Sequence, residues 1–170
     1  MADQKKVMLT IAEKYKSSNL QFSALTPNLK GYQTALAHGC QEVAVFGAAS
    51  EAFSKKNINC SIEESLKRFE PVVEQAKLDN IPVRGYVSCI AGCPYQGDVA
   101  VEDVVRVSER LFQMGCHEIS LGDTIGVGTP KRVKELLTAL LASGIQVEKL
   151  ALHCHDTYSR FKNFCSADRN

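Results

Sequence analysis

Residues 149–157 read Lys-Leu-Ala-Leu-His-Cys-His-Asp-Thr. This alternating apolar run predicts a buried strand, in which residues two apart share a face, so His153 and His155 should project side by side and could share one divalent cation. Asp156 and Thr157 follow at the carboxyl end of the strand, where parallel α/β folds place their sites. The alternative for an isolated His-x-His is one hydrogen-bonded core histidine and one incidental histidine.

An α-to-β junction recurs along the chain. Each copy contains a helix end, a glycine and a strand that ends in another glycine. The copies lie at residues 37–47 and 113–123 and, more loosely, at 140–145 before the strand at 149–155, and further strands are predicted at 20–25 and 81–88. Five strands, each but the last followed by a helix, indicate a parallel sheet with right-handed crossovers.

Helix boundaries follow from capping residues. The predicted helices run from Val7 to Tyr15, from Leu29 to His38 before a left-handed Gly39, from the Ser61 and Glu64 capping box to about Leu78, and over 133–141 after Thr129 and Pro130. Pro71 should kink or restart the third of these helices, because proline removes a backbone donor.

The predicted fold class is α/β, a partial TIM (β/α)8 barrel of about five parallel strands with helices outside. A closed barrel takes about 250 residues, and this chain has 170. The alternative is an open, complete sheet. We expect an N-terminal helical segment at 1–19, a barrel domain at 20–158 and a divergent polar tail at 159–170.

Composition limits the classes of function. The chain is 45% apolar and carries 20 basic and 19 acidic residues without a long run of either sign, which indicates a globular domain that binds no nucleic acid. No stretch approaches the roughly 20 apolar residues of a membrane span. Seven cysteines and an N terminus without a secretory or transit pattern predict reduced thiols in a cytosolic or matrix-like compartment.

Polar groups at the predicted strand ends form a candidate rim. Asp123 ends the strand that should neighbour the histidine strand, and it is the candidate general acid or base, or a residue that orients a metal-bound water. The alternative role is an Asx turn in the glycine-rich loop 122–128. The glycine spacing of that loop does not match a dinucleotide fingerprint.

A basic stretch precedes the helix that begins near Ser61. Lys55, Lys56, Asn57 and Asn59 are interpreted as a loop that feeds a helix N terminus, which by charge and dipole would suit the phosphates of a nucleotide-like carrier. A solvated basic loop is the default alternative.

Five strings carry a resemblance that covers about residues 24–158. They are ALTPNLKGY at 24–32, VAVFGAASEAFSKKNINCSIEES at 43–65, VRGYVSCIAGCPYQG at 83–97, GCHEISLGDTIGVGTP at 115–130 and LALHCHDTY at 150–158. The chain resembles the 3-hydroxy-3-methylglutaryl-CoA (HMG-CoA) lyase family. The resemblance implies a TIM barrel that cleaves this acyl-CoA to acetoacetate and acetyl-CoA in leucine degradation and ketone-body formation. It also implies a Mg²⁺ or Mn²⁺ cofactor, a mitochondrial location and a possible homodimer.

The resemblance assigns the two histidine ligands to His153 and His155, the active-site aspartate to Asp123 and a structural or site-supporting role to Arg84. The carrier in such an enzyme is coenzyme A, whose phosphates are the expected ligands of the basic stretch. Two imidazoles alone would suggest zinc, manganese or iron before magnesium.

The family pattern also has parts that this sequence lacks. They are the first strand with its Arg-Asp pair, the second-strand glutamate, the Gly-Gly-Cys loop with its neighbouring asparagine, and the eighth strand. These departures keep open an alternative, a catalytically inactive truncated isoform. A third reading, a different metal-dependent aldolase or acyltransferase of the barrel superfamily, is disfavoured by the long lyase-like strings.

Overall fold

The computed structural model describes residues 4–15 and 19–157. The predicted tail at 159–170 lies outside them, and the predicted domain boundary at residue 20 stays a prediction. The elements are α1 (Gln4–Lys14), β1 (Ser23–Leu25), α2 (Leu29–Ala37), β2 (Glu42–Ala48), α3 (Glu51–Ile58), α4 (Ile62–Leu78), β3 (Val83–Ser88), α5 (Val101–Met114), β4 (Glu118–Asp123), α6 (Pro130–Ala142), a 3₁₀ turn (Val147–Lys149) and β5 (Leu150–Cys154).

The five strands form one parallel sheet in the order β1-β2-β3-β4-β5. Each strand from β2 onward therefore pairs with the strand before it in the chain, as in an arc of a (β/α)8 barrel. This arrangement confirms the predicted α/β class with five parallel strands. All five carboxyl ends lie along the same edge of the sheet, which is where the candidate rim residues fall.

Local capping explains most helix boundaries. Ser61 accepts a hydrogen bond from the backbone N–H of Glu64, and the Glu64 side chain accepts one from the backbone of Ser61, which confirms the predicted capping box. Thr129 caps α6, and Gly39 has a left-handed φ of 84° after α2. The predicted restart at Pro71 is wrong, because α4 runs without interruption across that residue.

The main core lies between the sheet and the helices. Val83, Gly85 and Val87 of β3 alternate onto this face, and Val83 and Val87 are buried. A Cβ on Gly85 would lie 3.3 Å from Leu111 Cβ of α5 and 3.1 Å from Ile119 Cδ1 of β4. The glycine therefore lets α5 pack directly on the sheet.

The amino-terminal ends of the strands carry an ion-pair network on the opposite face. Arg84 Nη1 lies 2.9 Å from Glu118 Oε1, Arg84 Nε lies 3.5 Å from Glu42 Oε1, and His117 Nε2 lies 2.8 Å from the same Glu42 oxygen. Arg84 lies near the amino-terminal end of β3, four residues before Ser88 at the carboxyl end of the strand. Its role is to tie three strands together, and it does not reach the rim.

The prediction that the histidine strand is buried is wrong. Leu152 of β5 is 44% exposed, and the other residues of the strand are partly or fully exposed. The reason is position: β5 pairs with β4 on one side and forms the edge of the sheet in the described part of the chain. The apolar run thus indicated a strand, but the edge position determines its burial.

Candidate metal centre

His153 and His155 lie side by side at the carboxyl end of β5. Their ring centroids are 5.0 Å apart and the rings are nearly edge to face, at 70°. Both side chains are exposed on the open side of the sheet. Two neighbouring imidazoles are suitable nitrogen ligands for one divalent cation, so the placement agrees with the geometry that the His-x-His spacing predicts.

The hydrogen bonds of His155 determine its tautomer. Nδ1 lies 3.0 Å from the carbonyl oxygen of Asp123 and 2.9 Å from that of Thr124. Carbonyl oxygens only accept, so Nδ1 must carry the proton and donate. The lone pair of the neutral ring is then on Nε2, which is the atom available to a metal.

Asp123 lies on the strand next to the histidine strand, but its side chain is on the other face of the sheet. The strand register pairs Gly122 with His153 and Asp123 with Cys154. Because alternate residues point to opposite faces, the Asp123 side chain points toward the helices, away from His153. It is 1% exposed, in contrast to the two histidines.

Each oxygen of the Asp123 carboxylate accepts one hydrogen bond from its own loop. Oδ1 accepts from the Val127 N–H at 3.1 Å, and Oδ2 accepts from the Gly128 N–H at 2.8 Å. The Asp123 carbonyl also accepts from the Gly126 N–H at 3.2 Å. These acceptors bind the N–H groups four and five residues on, and not the N–H two residues on that defines an Asx turn, so Asp123 shapes the longer loop that holds His155.

The loop after β4 fits tightly against the histidine segment. Gly126 has a φ of 66°, and a Cβ there would lie 2.5 Å from the carbonyl oxygen of His155 and would overlap Thr157. Gly126 is therefore required both for the turn and for this close approach. The sequence predicts a glycine-rich loop here, but the contact between Gly126 and the histidine backbone follows only from the folded structure.

Thr124 connects the histidine to the neighbouring strand and belongs to the rim that the sequence predicts at the strand ends. Its carbonyl accepts from His155, and its Oγ1 accepts a 2.7 Å hydrogen bond from the backbone N–H of Cys89. Cys89 follows β3 and has a left-handed φ of 65°. Only strand pairing brings Cys89 to Thr124, so no local pattern in the sequence could have identified the contact.

A small cavity lies beside the histidines on the open face. Its volume is about 170 Å³. The residues around it come from the carboxyl ends of β3, β4 and β5: Tyr86, Val87, Ser88, Gly122, Thr124, His153 and His155. In the described ranges, no cluster of three or more histidine, cysteine or acidic side chains could hold a metal, so the donors shown are the two imidazoles.

The basic stretch is not the predicted loop. Lys55, Lys56 and Asn57 lie in the last turns of α3, where positive charge complements the helix dipole, and Asn59 is its left-handed C-cap. All four side chains are exposed. The structure does not bring them to the histidines in any described contact.

The N terminus of α4 already has carboxylate partners. Both Glu51 carboxylate oxygens lie 3.3 Å from the Ile62 backbone nitrogen, and Glu64 Oε2 accepts from the Ser61 N–H at 2.7 Å. These two acidic side chains occupy the donors that the sequence analysis assigned to an anion. The dipole of α4 therefore does not support a phosphate site at its N terminus. The positive charge of Lys55 and Lys56 is the remaining support for phosphate binding.

The HMGL-like family profile matches residues 1–160. The chain belongs to the HMGL-like family. Members of this family are generally dependent on divalent metals. No helix of the described residues is long and apolar enough to cross a bilayer.

Curated relatives of this HMGL-like chain are named lyases from two compartments. It is 54% identical over 160 residues to the mitochondrial hydroxymethylglutaryl-CoA lyase of Gallus gallus, covering 94% of this chain and 52% of the relative. It is 55% identical to the cytoplasmic 3-hydroxy-3-methylglutaryl-CoA lyase of Danio rerio, covering 94% of this chain and 47% of the relative. The chain thus spans about half the length of the curated relatives it matches.

Solved structures agree with the arc of strands. The hydroxymethylglutaryl-CoA lyase of Pseudomonas aeruginosa matches 98% of this chain and 54% of its own, with a TM-score of 0.90 and 50% identity. An HMG-CoA lyase of Acinetobacter baumannii, solved with coenzyme A and 3-methylmalate, matches 97% of this chain and 53% of its own with a TM-score of 0.87 and 29% identity. The described residues therefore have the fold of about half of such a lyase.

Proposed function

We propose that this HMGL-like chain supplies the histidine half of the metal centre of an HMG-CoA lyase, a carbon–carbon lyase that cleaves 3-hydroxy-3-methylglutaryl-CoA to acetoacetate and acetyl-CoA. The observation that carries the proposal is the pair of adjacent imidazoles at the carboxyl end of β5. Support comes from the 54% identity to a named lyase over 94% of the chain.

His153 and His155 would hold a divalent cation, Mg²⁺ or Mn²⁺, with further ligands from outside the described residues. When bound, such a cation polarises the hydroxyl and a carboxyl oxygen of a hydroxyacid substrate. Imidazole ligands favour Mn²⁺ over Mg²⁺ in affinity, which makes Mn²⁺ the better probe.

The described residues around the cation are positioning groups. The carbonyls of Asp123 and Thr124 hold the Nδ1–H of His155, which directs Nε2 to the open face. Asp123 in turn holds the loop through Val127 and Gly128. Cleavage needs a base that removes the substrate's hydroxyl proton and an acid that protonates the acetyl-CoA enolate. Both carboxylate oxygens of Asp123 already accept hydrogen bonds from the loop. We therefore assign Asp123 to the support of His155.

The acyl-CoA carrier would bind through its phosphates. The positive charge of Lys55 and Lys56 on α3, with Asn57 and Asn59 beside them, suits the phosphates of coenzyme A. A role for these side chains rests on charge alone, because the α4 N terminus is already capped. Assembly as a homodimer and a mitochondrial or cytosolic location also belong to the proposal.

Titration of Mn²⁺ into the purified chain, followed by calorimetry, tests the histidine pair. Saturable binding should fall at least about tenfold in His153→Ala and in His155→Ala. His38→Ala is the matched control, because the ring of His38 is occupied with the Thr34 carbonyl on α2. Equal binding by all four proteins would contradict the assignment of the two histidines.

Turnover of 3-hydroxy-3-methylglutaryl-CoA in the same samples tests the reaction. Acetoacetate formation that depends on Mn²⁺ and on both histidines would support the lyase. Binding without turnover would mean that the histidine half is present and that the catalytic groups of this chain are insufficient alone, which is the inactive alternative.

A further inference from the structure

Three residues in register leave a slot on the open face of the sheet. Ser88 of β3 pairs with Gly122 of β4, and Gly122 pairs with His153 of β5. Residues paired in this way share a face, and neighbouring strands lie about 4.8 Å apart, so Ser88 and His153 stand roughly 10 Å from each other with Gly122 between them. Because glycine has no side chain, the space above Gly122 is open. This slot is part of the small cavity beside the histidines.

The backbone of Gly122 does not itself require a glycine. Its φ lies outside the left-handed region, unlike that of Gly126 in the same loop. A Cβ at residue 122 would lie 3.4 Å from the Val87 carbonyl oxygen, 3.7 Å from Ser88 Cα and 4.0 Å from Thr124 Oγ1, which are ordinary contact distances. A glycine inside a strand often marks a place where a ligand approaches closely. What the missing side chain preserves here is the slot.

Two hydroxyl groups border the slot. Ser88 Oγ has no hydrogen-bond partner in the described part of the chain. Thr124 Oγ1 accepts a 2.7 Å hydrogen bond from the Cys89 N–H. Its own proton has the Gly122 carbonyl oxygen at 3.5 Å, which is longer than an O–H···O hydrogen bond of about 2.5–3.0 Å. Both hydroxyls can therefore donate to an acceptor that enters the slot.

The Cys89 backbone orients the Thr124 hydroxyl. Cys89 has a left-handed φ of 65°, which is uncommon for a residue with a side chain. Such conformations cluster at ligand sites, where the surrounding structure holds them. Because the Cys89 N–H occupies one lone pair of Thr124 Oγ1, the hydroxyl proton turns away from Cys89. The donor is therefore prepared before any ligand arrives.

We propose that the slot above Gly122 binds a carboxylate group, which accepts hydrogen bonds from the Ser88 and Thr124 hydroxyls beside His153, and that Gly122 determines which acids fit. Carboxylate oxygens only accept, and hydrogen bonds to a charged acceptor are roughly twice as strong as neutral ones. The cavity of about 170 Å³ corresponds to roughly six water molecules at about 30 Å³ each. It therefore suits the acid end of a substrate and excludes a coenzyme A carrier.

The choice of acid rests on the proposed function, because the slot by itself recognises only a carboxylate. The slot opens beside His153 and His155, so an acid bound in it lies next to the candidate metal centre. For the proposed lyase, the slot would bind the free carboxylate of the hydroxyacid. A methyl group at residue 122 would fill the space that this carboxylate needs.

Backbone amide resonances of the metal-free chain test the slot. Titration with 3-hydroxy-3-methylglutarate, the free acid, should shift the amide signals of Gly122 and Cys89, because the Cys89 N–H binds the Thr124 hydroxyl. The neutral alcohol tert-butanol should leave both signals unchanged. Equal shifts with the two compounds would overturn the carboxylate assignment, and the absence of a shift with the acid would overturn the slot.

Gly122→Ala should weaken binding of the acid at least about tenfold in this titration, because its methyl group occupies the slot. Gly47→Ala is the matched control. Gly47 is also a strand glycine, but its Cβ would meet Val107 of α5 at 3.3 Å on the helix side of the sheet. Unchanged acid binding in a folded Gly122→Ala chain would overturn the role of Gly122.

Hydroxyl variants separate donation from packing. Thr124→Val retains the shape of the side chain and should weaken acid binding at least about tenfold, whereas Thr124→Ser retains the hydroxyl and should stay within about threefold of the parent. Ser88→Ala should also weaken binding, because it removes the second donor. An equal loss of acid affinity in Thr124→Val and Thr124→Ser would overturn the role of the hydroxyl.

Calorimetry with Mn²⁺ distinguishes this inference from the proposed function. The Thr124 carbonyl, and not its hydroxyl, holds His155, so the Mn²⁺ affinity of Thr124→Val and of Gly122→Ala should stay within about twofold of the parent. A chain that bound the acid but no Mn²⁺ would contradict the proposed function and support the slot. A chain that bound Mn²⁺ through the histidines without any response to the acid would overturn the slot and leave the proposed metal centre supported.

Discussion

The Nδ1 atom of His155 lies 2.9 Å from the carbonyl oxygen of Thr124, so a loop on β4 sets the orientation of a histidine on β5. This contact joins the ends of two neighbouring strands and places the proton on Nδ1. The Nε2 atom is then available to a ligand. The candidate metal centre therefore depends on residues that do not touch the metal. The first two predictions concern these supporting residues.

Asp123→Ala should destabilise the fold and weaken metal binding together. The change leaves the buried N–H groups of Val127 and Gly128 without their acceptors, at a cost of about 2–4 kcal/mol in the free energy of unfolding. Asp123→Asn retains one acceptor oxygen and should lose about half as much. Urea unfolding measures the stability, and calorimetry with Mn²⁺ should show about a tenfold lower affinity.

The control for Asp123 is Asp103→Ala, which removes an exposed carboxylate paired with Arg106 within α5. Such a surface pair contributes about 0.5 kcal/mol or less. If Asp123→Ala were no more destabilising than Asp103→Ala, the supporting role of Asp123 would be wrong. A Mn²⁺-dependent reaction lost in Asp123→Asn at unchanged Mn²⁺ affinity would instead support direct catalysis.

Gly126→Ala should disturb the histidine segment. The new Cβ would meet the His155 carbonyl oxygen at 2.5 Å, in a backbone conformation that side chains rarely adopt. Gly39→Ala is the matched control, because Gly39 is also left-handed but has open space around its Cβ position. We expect about 1 kcal/mol from the backbone term in both variants and a clearly larger loss in Gly126→Ala. Only Gly126→Ala should shift the His155 imidazole resonance, and equal effects would contradict the close approach.

Local patterns predicted the elements of this fold well. The Ser61 capping box, the Thr129 cap and the alternation of strands and helices depend on residues near each other in the chain, and all three are present. The missed helix α3 also had a local indication: Ser50 is its N-cap and is followed by Glu51. A helix that begins after this cap contains Lys55 and Lys56 in its last turn, so the predicted basic loop is wrong.

The faces of the site residues could not be predicted in the same way. The spacing of His153 and His155 is enough to place them on one face, because both belong to one strand segment. The face of Asp123 relative to His153 depends on the register between β4 and β5, which pairs Gly122 with His153. A shift of one residue in this register would put the Asp123 side chain on the same face of the sheet as His153. Burial of β5 likewise depends on neighbouring strands, which the sequence of β5 does not specify.

Tyr32→Phe should destabilise the contact between α2 and α4. Tyr32 is 1% exposed, and its hydroxyl donates to Asp79 Oδ2 at 2.7 Å at the end of α4. Losing this charge-assisted hydrogen bond should cost about 1–2 kcal/mol in urea unfolding. Asp79→Asn keeps one acceptor oxygen for Tyr32 and loses the oxygen that accepts from the exposed Gln75 amide at 3.1 Å, so it should cost less than Tyr32→Phe. The reverse order would show that the ring packing of the phenylalanine compensates for the lost hydroxyl.

The capping box of α4 should make stability depend on pH in the acid range. Hydrogen bonds from the backbone and then the side chain of Ser61 lower the pKa of Glu64 below its usual 4.5. Because the folded pKa is depressed, the charged cap stabilises the fold above the usual pKa, and this stabilisation is lost as the pH falls through the folded pKa. Urea midpoints measured from about pH 6 to about pH 3 should decrease less steeply in Glu64→Gln than in the parent chain. Glu74→Gln removes the same charge from an exposed position of α4 and should follow the parent curve. If Glu64→Gln and Glu74→Gln gave the same acid slope, the pH dependence would come from carboxylates other than the cap.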